Sequence, residues 1–252
     1  MIVERCLVTE GMRAFESAHA STLLELEDGA ILAAWFGGSW EKAPDVAIWT
    51  AILRDGFWSE PEKTADCWGT ACWNPVLFRG ADGRIILYYK AGAEIEAWKT
   101  WYVESFDEGM HFTEPKELVE GDESGGRGPV KNKPIRLHDN TILAPASVEG
   151  ALWDAFVDIS SDDGKTWAKS SLVPLRRVGY QEHALHVPYQ KYACWGKGII
   201  QPTLWQDANG DVHMLCRSTS SRIFGRILMT GERHGALHMI VDFRIITVEL
   251  IW

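Results

Sequence analysis

Ser160-Ser161-Asp162-Asp163-Gly164-Lys165-Thr166-Trp167 is a turn whose chemistry is written in its spacing. The Asp side chain caps turn amides, Gly supplies a left-handed residue, and the closing Trp packs between neighbouring sheets. The stretch recurs as Ser105-Phe106-Asp107-Glu108-Gly109-Met110-His111-Phe112, with Thr and Trp replaced, and in short form as Arg54-Asp55-Gly56-Phe57-Trp58. Turn chemistry of this kind serves the backbone, so these stretches are read as structural.

Upstream of each turn lies a second repeated element. Residues 19–37, 74–90, 133–147 and 201–217 share one grammar: a polar opener, usually a Pro, an alternating apolar run, a turn, and a second alternating run. Asp28-Gly29, Asp82-Gly83, Asp139-Asn140 and Asn209-Gly210 are the hairpin signals between the runs. Pro at the first residue of a strand is tolerated because no ladder donor is needed there. From Ser21 to Pro75 is 54 residues, from Pro75 to Pro134 is 59, and from Pro134 to Pro202 is 68. Each interval holds four strands, the size of a propeller blade. A helical reading fails, because apolar residues alternate and Gly or Asn punctuates the runs. The expected fold is therefore an all-β propeller with about four blades, over residues 11–65, 66–125, 126–195 and 196–225.

Composition narrows the partners. A net charge of −10 argues against nucleic acid, which needs a basic face. Nothing resembles a membrane span, so no membrane partner is expected. The start, Met1-Ile2-Val3-Glu4-Arg5, lacks a signal-peptide pattern and points to the cytoplasm. Cys6, Cys67, Cys72, Cys194 and Cys216 form no CxxC and read as small buried hydrophobes, not a disulfide framework or a zinc site. His183 and His186 have metal-pair spacing but no third ligand suitably placed, so a loop role is expected, and neither metal nor cofactor. Of the 13 Trp, most are expected in the core, and a few on a groove where a sugar ring could stack.

The fourth unit should continue past Arg217 into another such turn, yet Arg226-Ile227-Leu228-Met229-Thr230-Gly231 shows no turn grammar. Read one base earlier, allowed codons from Arg226 to Leu250 spell D-S-D-D-G-G-K-T-W-S-P-A-Y-D-S-G-L-P-N-N-N-S-G-I-D-L. Residues 226–252 are therefore expected to be a frameshifted tail, with Ile240–Trp252 an opportunistic strand or disordered.

The turns and the openers (His19-Ala20-Ser21-Thr22, Trp73-Asn74-Pro75-Val76, Lys131-Asn132-Lys133-Pro134-Ile135, Ile200-Gln201-Pro202-Thr203) resemble the bacterial sialidase-like family of BNR or Asp-box repeats, the predicted neuraminidases, over about residues 10–225. The resemblance implies a six-bladed propeller with an axial active site and exo-glycosidase chemistry, with two blades absent here. It also implies roles by position. His19 stands nearest to where those enzymes carry a carboxylate-clamping Arg, and Asp45 or Glu41 fills the acid/base loop. Gln201 stands where a Glu activates the nucleophile, and Arg217 matches a retained Arg. A His cannot reproduce a bidentate Arg clamp, and a Gln cannot act as base.

The openers His19, Asn74, Asn132, Lys133 and Gln201, with the strand ends Lys90 and Arg217, are expected to converge on one pocket and contact a sugar. Their other reading is that they satisfy buried backbone at the channel. Trp35 and Trp40 are expected at the pocket rim for stacking. Asp45 would need a raised pKa to act as the acid, and could instead cap its loop. Three functions stay open: a sialidase-like glycoside hydrolase acting on carbohydrate, inactive as a fragment; a uronate-glycan lyase with His19 as base; and a non-catalytic carbohydrate-binding propeller fragment. Self-association through open blade edges is expected of an incomplete ring.

Overall fold

Each alternating segment folds as a hairpin, and all four close in the same way. The backbone amides of Gly29, Gly83, Asn140 and Gly210 each donate to the carbonyl three residues earlier, at 2.9 to 3.2 Å. These four residues are also the left-handed ones, with φ of 83°, 89°, 71° and 92°. In the first three turns an Asp (Asp28, Asp82, Asp139) accepts the amide two residues on, at 2.9 to 3.2 Å. In the fourth, Asp207 does so from an earlier position, towards Asn209 and Asp211.

The computed structural model describes residue 8 and residues 15–67, 69–178, 194–230, 239–240 and 247–249. Among them every regular element is a strand. Two compact units divide the chain, residues 1–121 and 122–252. The first unit holds two antiparallel blades. Blade one is β1 (Ser17–Glu25), β2 (Ile31–Gly38), β3 (Ala47–Arg54), β4 (Phe57–Trp58) and β5 (Glu62–Ala65), the last pairing with β3. Blade two is β6 (Cys72–Arg79), β7 (Ile85–Ala91), β8 (Lys99–Ser105) and β9 (Lys116–Glu117) in sequence order.

The second unit repeats the pattern. Blade three is β10 (Ile135–Arg136), β11 (Ile142–Glu149), β12 (Trp153–Ser160) and β13 (Ala168–Lys169). A short parallel pair, β14 (Arg177–Val178) with β15 (Cys194–Trp195), precedes blade four. His183 and His186 lie outside the described residues between these strands. Blade four is β16 (Ile199–Gln206), β17 (Val212–Ser218) and β18 (Arg222–Thr230), with β19 (Met239–Ile240) and β20 (Thr247–Glu249) both paired to β18. The backbone past Arg226 therefore still contributes strand, and the rest of residues 231–252 lies outside the described residues.

Second strands are the most buried in the first unit's blades, where both of their faces are covered. All seven residues of β7 are buried, as are seven of the eight in β2. In the second unit, Leu143, Ala155, Val157, Ile199, Met214 and Phe224 share one core across blades three and four. Burying a large aliphatic or aromatic side chain contributes about 1.5 to 3 kcal/mol, so this core is the main support of the unit.

The Asp-turns lock the outer ends. In blade three, Ser160 Oγ donates to Asp162 Oδ1 at 2.8 Å and accepts from Gly164 N at 2.8 Å. Asp162 also accepts from Lys165 N, Thr166 N and Thr166 Oγ1, and Trp167 Nε1 donates back to Gly164 O at 3.0 Å. Blade two copies this through Ser105, Asp107 and Gly109, with His111 Nδ1 2.7 Å from Asp107 Oδ2, in the place of the Thr hydroxyl.

Burial alone would raise the Asp162 pKa, but the Thr166 hydroxyl and the turn amides outweigh it and bring it down to about 2, from an ordinary 3.8. His111 is the main cause of a similar lowering to about 2 at Asp107. Both groups bind protons less readily when folded. Their stabilisation is complete above the unfolded value of 3.8 and lost as pH falls towards 2. Acid unfolding followed by tryptophan fluorescence should therefore steepen between about pH 4 and 2, and Asp162→Ala should flatten that part of the curve. An unchanged acid limb in the variant would refute the assignment.

Candidate functional site

Hairpin register places equivalent residues at the ends opposite the turns. Counting from the first pairs (Ile31, Ile85, Ile142 and Val212), the sixth residue of each second strand is Phe36, Lys90, Ser147 and Arg217. The facing first strand is broken by a bulge in three blades, between His19 and Thr22, Trp73 and Val76, and Ile200 and Thr203. In each bulge the first residue is left-handed: Ala20 at 55°, Asn74 at 45° and Gln201 at 51°. A bulge inserts one residue and re-aims its side chain, and a left-handed non-glycine residue costs on the order of 1 to 3 kcal/mol. Pro75 and Pro202 directly after it need no ladder donor.

This corrects the position of His19. The residue matching Asn74 and Gln201 is Ala20, while His19 matches Trp73 and Ile200 and pairs across to Phe36. Alternation alone hides the inserted residue. Blade three has no such bulge within its two-residue β10, and its left-handed opener is Lys131, at 68°.

In the first unit the strand ends build an aromatic file. The exposed His19 ring lies 5.7 Å from Phe36, Phe36 lies 5.9 Å from Trp73, and Trp73 lies 5.9 Å from Trp98. Lys90 is fully buried beside it, Nζ donating to Thr100 Oγ1 at 2.6 Å. Its side chain is therefore not open to the pocket where a sugar contact was expected. Asn74 is half-buried at its bulge.

The loop after β2 carries the expected acid. Asp45 is exposed and accepts from Ser39 Oγ at 2.6 Å and from Ser39 N at 3.1 Å. The Ser39 hydroxyl holds its pKa below the usual carboxylate value. The ionised form of Asp45 is thus the one that Ser39 favours. Glu41 is exposed in the same loop, and Trp40 is 64% exposed. Trp35 is not at a rim: it is 5% exposed and packs with Ala33, Ala51 and Phe15. Strand alternation turns it to the side opposite Phe36.

The second unit gathers a polar cluster. Ser147 Oγ donates to Glu149 Oε1 at 2.9 Å and receives Gln201 N at 3.4 Å. Asn132 Nδ2 donates to the carbonyls of Gln201 and Pro202 at 3.0 and 2.9 Å, so its amide braces the bulge. Arg217 is exposed, with its guanidinium 5.7 Å from the Trp153 ring. Lys133, next to Asn132, is also exposed. Ser147, Glu149 and Trp153 were missed in the sequence, although Ser147 follows Ile142 by the same five residues that separate Lys90 from Ile85. Among the described residues no cluster of metal-ligating side chains forms. What the arrangement offers is two exposed cations, Arg217 and Lys133, a hydrogen-bonded carboxylate and amide groups held by backbone geometry.

The BNR repeat-like domain family matches residues 29–235. No curated protein sequence matches the chain. Among solved structures, a protein of unknown function from Dyadobacter fermentans is similar at 15% identity and a TM-score of 0.62, covering 83% of this chain and 65% of that one. A Hadza microbial sialidase is similar at 11% identity and a TM-score of 0.65, covering 84% and 44%. Trypanosoma rangeli sialidase follows at 12% identity and a TM-score of 0.60, covering 85% and 36%. The chain thus spans between 36% and 65% of the length of these three structures, and the likeness establishes the fold. With well over half its length matched, the chain belongs to the BNR repeat-like domain family, folded as four blades of a sialidase-type β-propeller.

Proposed function

We propose that this chain carries the sugar-binding part of a sialidase-like exo-glycosidase, and that it binds an acidic carbohydrate without turning it over. The observation that carries this reading is the second-unit cluster of Ser147, Glu149 and Gln201, together with the exposed guanidinium of Arg217. An Arg offers a planar fork matched to a carboxylate, and strand-end amides and carboxylates suit sugar hydroxyls. Solved complexes of the Trypanosoma rangeli sialidase hold the inhibitor DANA and 2,3-difluorosialic acid, which supports a carbohydrate ligand for this fold. Gln201, at the position the resemblance gives to the base, supports the absence of turnover.

Calorimetric titration with sialyllactose tests this. Arg217→Ala should weaken binding about tenfold or more, the effect of losing a charge-assisted hydrogen bond. No binding of sialyllactose or of oligogalacturonate would overturn the reading, and release of free sugar from an aryl-sialoside would overturn the absence of turnover. The exposed imidazole of His19 favours a second reading, a lyase on uronate glycans. Absorbance of an unsaturated product, lost in His19→Ala, would establish it.

A further inference from the structure

A cavity of about 320 Å³ opens on the outer rim of the first unit, where β3 and β4 meet the Asp-turn of blade two. We propose that it is a second carbohydrate site, one that takes a neutral pyranose. Its class of ligand rests on the carbohydrate reading above, but its residues are separate from the strand-end clusters.

The local chain builds a stacking wall. Asp55 and Gly56, with φ of 53° and 82°, make a two-residue turn that reverses the chain sharply and leaves β4 only two residues long. That turn leaves the Phe57 side chain 79% exposed, with Trp58 beside it on the cavity lining. The Asp-turn of blade two adds Met110, 55% exposed, to the same cavity. Exposed large apolar side chains grouped around one concavity mark a binding surface, whereas scattered ones do not. The indole Nε1 of Trp58 is buried and has no hydrogen-bond partner among the described residues, which costs free energy unless a bound group or a small rotation supplies an acceptor.

Polar groups complete the cavity and select among sugars. Arg54 lines it, with Nε and Nη2 fixed on Asp28 Oδ2 at 3.0 and 2.7 Å. Glu62 contributes an exposed carboxylate. An orientated guanidinium and a carboxylate supply a donor and an acceptor for neighbouring hydroxyls, and the aromatic face receives the C–H side of the ring. Because Asp28 already offsets the charge of Arg54, Glu62 leaves the cavity net negative. A sugar carboxylate is repelled there, whereas it suits Arg217. A cavity of this size accepts one or two rings.

The test is amide-resolved NMR titration of the chain with lactose, cellobiose and N-acetylglucosamine, with sialyllactose as the anionic comparison. At least one neutral sugar should shift the amides around Phe57 and Trp58 with a Kd of about 1 mM. Phe57→Ala should weaken that binding about tenfold, while Phe57→Trp retains it and Arg217→Ala leaves it unchanged. Thermal unfolding of Phe57→Ala should match that of the parent chain, since the side chain is largely exposed. The proposal is overturned if no neutral sugar shifts these amides, or if Phe57→Ala binds as tightly as the parent. Loss of sialyllactose binding with neutral-sugar binding intact would sink the acidic-sugar reading alone, and the converse would sink this one alone.

Discussion

Asp158→Ala should destabilise the second unit by about 3 to 5 kcal/mol, the cost of stripping one partner from a buried ion pair. The Asp158 side chain is fully buried on β12 and accepts from Arg127 Nε at 2.9 and 3.1 Å and from Gly128 N at 2.5 Å. Arg127 is itself only 10% exposed and also reaches Asp122 at 2.7 Å and Trp167 O at 3.0 Å. One carboxylate thus ties a loop guanidinium, a loop amide and, through Arg127, the closing Trp of the Asp-turn. Alanine removes the carboxylate facing Arg127 Nε and leaves the Gly128 amide without its acceptor. Asp158→Asn is the informative control, since it keeps the shape and one acceptor oxygen while removing the charge and the other acceptor. Urea unfolding should rank the parent chain above Asn and Asn above Ala. A loss below about 1 kcal/mol for Ala would mean that the knot is no stronger than a surface ion pair.

Gly198→Ala should be comparably damaging, by a different route. A Cβ at Gly198 would stand 2.1 Å from Trp153 O and 3.0 Å from Arg177 Nη2, at a φ of 138°. Trp153 O is already the acceptor of Arg177 Nη2 at 2.9 Å, and Trp153 and Gly198 form a parallel bridge at the entry to β16. The carbonyl cannot retreat without breaking both. Overpacking costs about 1 to 3 kcal/mol and an unfavourable φ about 1 to 2, so a total of about 2 to 5 is expected. Gly29→Ala provides the comparison: φ is 83°, but no atom lies within 4 Å, so only the backbone cost applies. Equal losses in the two variants would show that the close approach to Trp153 is not what matters.

The blades were legible because their information is local. Asp28, Asp82 and Asp139 each satisfy an amide two residues away, and Ser160 with Asp162 close a loop within seven residues, so spacing alone specifies them. The strand ends were only partly legible. Whether Lys90 is buried depends on the strands on either side of it, and whether Trp35 faces inward depends on which side of β2 meets the core. His19 was misplaced by one residue because a bulge changes register without changing the apolar pattern. Asn132 was recognised as an opener, but its partners are carbonyls 69 and 70 residues away, a distance at which sequence patterns carry no signal. Glu149 and Ser147 were overlooked for a related reason: their significance comes from Gln201 on another blade.

The aromatic file of the first unit has an optical consequence. The Trp73 and Trp98 indoles lie 5.9 Å apart at 68°, both almost fully shielded from water. Two identical chromophores so close and so inclined share their excited states, and circular dichroism reports such sharing as a signed doublet. The second unit has Trp153, Trp167, Trp195 and Trp205 among its described residues, in other surroundings. The chain therefore carries a spectroscopic label, already in its sequence, that follows the first unit's strand ends while the remaining tryptophans follow the whole molecule.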